Sequence, residues 1–129
     1  MVVRQGAMKP IRVLIIDDEG DICDACRMVL AEKGHAVDHC MTGRAGLSAV
    51  ERGKYDVVLL DMKLPDIDGT EVLKALRGKA HAPRVIVMTG YSTMSNAINA
   101  MRLGAADYLA KPFSDDELIE AIEKSCANR

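Results

Sequence analysis

The stretch "YDVVLLDMKLPDIDGT", residues 55–70, decides how the rest of the chain is read. Its apolar run at 57–60 suits a strand buried on both faces of a parallel sheet. Four aspartates surround the run. Asp56 precedes it, Asp61 closes it, and Asp66 and Asp68 follow in a loop punctuated by Pro65 and Gly69. Which of them does chemistry depends on what the neighbouring segments build.

Similar apolar runs recur at 11–16, 35–40, 84–88 and, shorter, at 107–110. Helical patterns fill the gaps. In "EGDICDACRMVLAEKG" Ile22, Cys26, Val29 and Leu30 follow helical spacing, and Gly34 marks a stop. Thr42 and Gly53 bracket a second helix. Gly78 and Gly104 end a third and a fourth. Ser114 with Glu117 three residues on spells a capping box for a fifth, with Asp115 and Asp116 at its positive end. Five strands alternating with five helices imply an α/β fold: a doubly wound, five-stranded parallel sheet with helices on both faces.

Sites in such sheets form at the carboxyl ends of the strands. The first strand ends in Asp17-Asp18-Glu19, the third in Asp61, the fourth in Thr89-Gly90, and the fifth near Lys111-Pro112. Clustered carboxylates repel and raise one another's pKa, which a divalent cation relieves. Oxygen ligands without Cys or His point to Mg²⁺ or Mn²⁺. Beside such an ion, Asp61 is suited to attack phosphorus and form an acyl phosphate. Lys111 would neutralise phosphoryl oxygens, and Thr89 would donate a hydrogen bond to one.

"LIIDDE", "VVLLDMKLPDIDG", "VIVMTGYS" and "GAADYLAKPF" together resemble the signature segments of a response-regulator receiver domain, across essentially residues 11–127. The resemblance implies the flavodoxin-like strand order 2-1-3-4-5. It implies Asp61 as phosphoacceptor, and Asp17, Asp18, Asp61 and the backbone carbonyl of Lys63 around Mg²⁺. It implies Thr89 and Tyr108 as a switch pair, Lys111 on the phosphoryl group, and a cis Lys111–Pro112 bond, which X-Pro alone adopts cheaply. In receivers the side chains two past the acceptor and two past the threonine govern water access. Here these are Lys63 and Tyr91, which predicts slow self-dephosphorylation. The phosphodonor would be a histidine kinase or a phosphotransfer protein. Output would be a homodimer or an effector contact through the face of the fourth helix, fifth strand and fifth helix, with Met94, Ala97, Met101, Arg102, Asp107 and Lys124 as candidates.

A different class is also spelled here. Asp66-Ile67-Asp68-Gly69-Thr70 matches the D-x-D-G-T nucleophile motif of haloacid-dehalogenase-type phosphatases. That motif works when its first aspartate ends a buried strand. Asp66 follows Pro65, five residues after the apolar run has ended at Asp61, so loop or helix-capping roles are expected of Asp66 and Asp68. A third reading, a receiver-like docking module that takes no phosphate, leaves the full Asp, Thr and Lys set unexplained.

The 129 residues fit one domain, with residues 1–10 read as a flexible leader and 11–127 as the receiver. Hydrophobic content of 49% with only 3% aromatics calls for an aliphatic core. A net charge of −2 without a Lys/Arg cluster argues against direct nucleic-acid binding. No run approaches the roughly 20 apolar residues of a membrane span. The start lacks a signal-peptide core, so a cytoplasmic location is expected. Cys23-Asp-Ala-Cys26 lies inside a helical pattern with no second metal-ligand pair, which favours a packing role over redox or zinc chemistry. His35, His39 and His81 share no site, and none is placed as a phosphodonor. Met88, Met94 and Met101 read as core or interface filler.

Overall fold

The computed structural model describes residues 8–90 and 94–127. The element order is β1 (Arg12–Ile16), α1 (Gly20–Glu32), β2 (Ala36–Cys40), α2 (Gly43–Arg52), β3 (Val57–Asp61), α3 (Gly69–Arg77), β4 (Arg84–Thr89), α4 (Met94–Arg102), β5 (Asp107–Ala110) and α5 (Asp115–Cys126). All four ladders are parallel, and the strands lie in the order β2-β1-β3-β4-β5. The expected doubly wound fold and strand order are both present. The order reverses between β1 and β3, which is where such sheets place their sites.

Strand alternation sorts the core into two layers. Val13, Ile15, Val57, Leu59, Ile86, Met88 and Leu109 point to one face, where they meet Cys23, Cys26 and Leu30 of α1 and Leu118, Ala121 and Ile122 of α5. Leu14, Ile16, Val58, Leu60, Val85 and Val87 point to the other, against Val72, Leu73 and Leu76 of α3 and Ala100 of α4. Every residue of β3 is buried. Each large aliphatic side chain removed from water contributes about 1.5–3 kcal/mol, so the central strands are the best-anchored part of the molecule.

The helix ends follow the local signals. Thr42 Oγ1 accepts from the Ala45 N–H at 3.1 Å and starts α2. Ser114 and Glu117 form the reciprocal capping box of α5. Gly78 caps α3, while Gly34 and Gly104 stand just past α1 and α4. These stops return each helix to the start of the next strand, so all five strands run the same way and their carboxyl ends share one edge. Among the described residues no helix is long and apolar enough to cross a membrane.

Candidate functional site

The register fixes who meets at that edge. Ile16 pairs with Leu60, Asp61 with Met88, and Thr89 with Ala110. Asp17 therefore follows β1 beside the end of β3, and Lys111 follows β5. Asp17 is fully buried, and Asp61 and Thr89 are 4% and 3% exposed. Lys111–Pro112 is a cis peptide bond.

Lys111 gathers the carboxylates. Its Nζ donates to Asp17 Oδ2 at 2.8 Å, Glu19 Oε1 at 2.8 Å and Asp61 Oδ2 at 3.2 Å. Burial alone would lower the lysine pKa, but hydrogen bonds to Asp17 and Glu19 outweigh it and hold the ammonium charged. Asp61 has the opposite problem. Burial raises its pKa and Asp17 adds like charge, while the Lys63 N–H on Oδ1 at 3.1 Å and the Lys111 charge pull it down.

The carboxylate oxygens of Asp17, Glu19 and Asp61 lie within 4.8 Å of one another. Asp18, expected beside Asp17, is exposed and stands outside this trio. The backbone explains the exchange. The chain bends at Asp18 as it leaves β1, and the bend brings Glu19, not Asp18, back to the side of Asp17. An Asx turn, Glu19 N–H to Asp17 Oδ1 at 2.9 Å, fixes it. Glu19 was legible as part of the acidic strand end, but its side of the chain was not.

Asp17 is also held through its backbone. The Asp17 N–H donates to the Cys40 carbonyl at 3.1 Å, the Cys23 thiol lies 3.5 Å from the Asp17 carbonyl oxygen, and His39 Nε2 lies 3.1 Å from it. Cys23 and Cys26 are both buried on α1. Burial, then the Asp17 charge, push the Cys23 thiol up to about 12 and the Cys26 thiol up to about 11. Neither is a thiolate at neutral pH, which leaves the C-x-x-C a packing pair.

Thr89 and Tyr108 line one cavity of about 280 Å³ beside the acidic cluster, together with Met62, Lys63, Asp68, Thr70, Asn96 and Asn99. Tyr91 lies outside the described residues. Asp68 and Thr70 of the D-x-D-G-T stretch border this cavity, but the hydrogen bonds of its two aspartates are helix caps. Asp66 accepts the Gly43 N–H at 2.8 Å and the Arg44 N–H at 2.9 Å, which caps α2 from a distant loop. Asp68 accepts the Thr70 N–H at 2.8 Å and caps α3. Gly69 packs so closely on the Met62 backbone that a Cβ would collide with it. None of the three residues joins the acidic cluster, so the phosphatase reading has no site.

Comparison with known proteins agrees with the fold. The family model of the response regulator receiver domain matches residues 13–123. The transcriptional regulatory protein DltR of Streptococcus agalactiae is 40% identical over 111 residues, which cover 86% of this chain and 50% of DltR. The CheY-like receiver domain structure from Methanospirillum hungatei JF-1 is 31% identical with a TM-score of 0.85, covering 93% of this chain and 96% of that one. The receiver domain of Francisella response regulator 1452 is 30% identical with a TM-score of 0.84, covering 92% and 99%. The chain belongs to the response regulator receiver family of two-component signalling systems. It spans about half the length of curated relatives such as DltR.

Proposed function

We propose that this receiver accepts a phosphoryl group on Asp61 from a phosphohistidine of a histidine kinase or phosphotransfer protein. The observation that carries the reading is the buried Asp61 carboxylate at the end of the central strand, with Lys111 Nζ 3.2 Å away. A carboxylate oxygen of Asp61 bonds to phosphorus as the nitrogen–phosphorus bond breaks, and the imidazole keeps the electron pair. Lys111 balances charge on the phosphoryl oxygens. Thr89, at the end of the neighbouring strand, donates its hydroxyl to one of them, and Tyr108 turns into the cavity the two share.

An all-oxygen cluster of carboxylates fits a hard divalent cation, Mg²⁺ or Mn²⁺. Asp17, Asp61 and the Lys63 carbonyl would hold it; Asp18, exposed and outside the cluster, would join as a ligand by turning inward, with Glu19 as the ion-pair partner of Lys111. When bound, the ion supplies charge neutralisation for carboxylates and phosphoryl oxygens. Lys63 and Tyr91 would restrict the access of water to the acyl phosphate.

Output would pass through the α4–β5–α5 face to a second copy or an effector. Supporting this, Met94, Ile98 and Met101 are large apolar side chains exposed on one stripe of α4. Ile98 extends the set expected from the sequence.

Intact mass after incubation with acetyl phosphate, with and without Mg²⁺, tests the reading. A Mg²⁺-dependent, base-labile gain of one phosphoryl group in wild type and none in Asp61→Asn is expected. Label retained by Asp61→Asn from a phosphohistidine kinase would overturn it.

A further inference from the structure

The opposite edge of the sheet carries a second concavity. β3 and β4 begin there, and the loops that lead into them face the α4–β5 turn around Gly104 and Ala106. Together they enclose a cleft of about 930 Å³, within the range of sites for small organic ligands. It shares no residue with the acidic cluster.

Its lining is cationic. Lys54, Arg77, Lys79 and Arg84 border it, against the carboxylates of Glu51 and Asp56. Both carboxylates are engaged. Glu51 Oε1 holds Lys79 Nζ at 3.3 Å, and Asp56 Oδ2 accepts the Arg12 N–H at 2.9 Å. Among the described residues neither Lys54 nor Arg77 forms an ion pair. The negative end of α3 accounts for one cation in its last turn. It does not account for Lys54, which comes from the α2–β3 turn to face the 77–84 stretch in a chain whose net charge is −2.

Arg77 is seated by shape. Gly104 has φ +99°, and a Cβ there would run into the Nε, Cδ and Cζ atoms of Arg77. The backbone angle asks for glycine, and the guanidinium packs against the space a side chain there would take. Val50, Ala82, Pro83 and Ala106 supply an apolar floor. The frame is tied by backbone bonds from Asp56 N–H to Arg12 O at 2.9 Å, Arg84 N–H to Asp56 O at 3.0 Å, and Ala106 N–H to Val85 O at 2.7 Å.

We infer that this cleft binds a small, multiply charged phosphate anion, gripped by Arg77 and Lys54, with any organic body resting on the apolar floor. Guanidinium forks match phosphate oxygens bidentately. The excess of cations over already engaged carboxylates suits a ligand with more than one negative charge. A concave, apolar-floored site suits a small ligand better than a protein surface. The inference is independent of phosphoryl transfer at Asp61.

The test is an amide-resolved NMR titration of the full chain in chelator, with pyrophosphate, ADP and a hexaglutamate peptide as separate probes at equal ionic strength. Saturable shifts at residues 51–56, 77–84 and 104–106 are expected with pyrophosphate or ADP. Lys54→Gln/Arg77→Gln should weaken binding about tenfold or more. Both positions are exposed, and an unchanged melting temperature shows that the variant is folded. Tighter binding of ADP assigns a nucleotide-type ligand, and equal binding assigns inorganic phosphates. Either supports the site. No saturable shift, shifts confined to the Asp17–Asp61 edge, unweakened binding by the variant, or tightest binding of hexaglutamate would overturn it.

Discussion

Lys111 Nζ lies 2.8 Å from Glu19 Oε1, closer than its 3.2 Å approach to Asp61 Oδ2. The Glu19 side chain is 57% exposed and that of Asp61 is 6% exposed. The shorter contact is therefore the one that water screens, and the longer one is the one that burial strengthens. Fully buried Asp17, 2.8 Å from the same Nζ, holds the ammonium beside Asp61.

This division of labour separates two neighbouring acids. Asp18→Asn should weaken Mg²⁺ affinity about tenfold, because it removes a ligand charge. Glu19→Gln should change it by less than about threefold, because the proposed ligand set leaves Glu19 out and its carboxylate end is largely exposed. Metal titration of both variants decides this. A larger loss in Glu19→Gln would make Glu19 a ligand and Asp18 a bystander.

Asp61 is costly to keep charged in the metal-free fold. Its pKa is raised, first by burial, so the folded state binds its proton more tightly than the unfolded chain. Stability attributable to this group therefore falls as pH rises through the raised pKa. Asp61→Asn should melt about 2–5 °C higher than wild type at neutral pH in chelator. The difference should vanish below about pH 4, where the carboxyl is protonated in both states.

His35 behaves in the reverse sense. The Ile11 N–H donates to His35 Nδ1 at 3.1 Å, which requires a neutral ring, and burial lowers its pKa despite the charge of Glu123. A depressed histidine pKa gives stability that is present above the unfolded value, about 6.5, and lost as pH falls through and below it. Urea unfolding should show wild type losing more stability between pH 7 and pH 5 than His35→Ala does. Parallel losses would remove His35 from the acid response.

The helix caps separate structure from chemistry in the 66–70 loop. Asp66→Ala strips the N–H groups of Gly43 and Arg44 of their acceptor and should lower the melting temperature. Ser114→Ala breaks the α5 capping box and should cost about 1 kcal/mol. Both should still take up a phosphoryl group from acetyl phosphate. Loss of uptake in folded Asp66→Ala would return that residue to the chemistry.

Lys63→Ala should shorten the life of the phosphorylated state, since it clears a long side chain beside the acceptor while the Lys63 N–H still reaches Asp61. Decay of the phosphoprotein followed by intact mass measures this. An unchanged lifetime would leave water access to other residues.

Much of this was legible in the chain because it is local. Apolar runs of four to six residues, glycine stops and the Ser114–Glu117 box each signal within a few positions, and the alternating order then fixes the topology. Asp17, Asp61, Thr89 and Lys111 were visible for the same reason, since each ends a strand on the edge that topology assigns to sites. Features that depend on orientation or distant pairing were not. Glu19 takes its place from the bend and turn that follow Asp17, Asp66 caps a helix 22 residues away, and Arg77 rests on Gly104 from another loop.

The strand order also sets apart the two strands that the proposed function uses. β3, which ends in Asp61, is laddered on both sides, to β1 and to β4. β5, which carries Tyr108 and leads to Lys111, is four residues long and pairs with β4 alone. Under the proposed function, a phosphoryl group on Asp61 would sit on a strand seamed on both sides, while Tyr108 and Lys111 would respond from a hem with one seam. A chemical change that moves nothing at its point of origin still has a compliant border to act upon, one strand away.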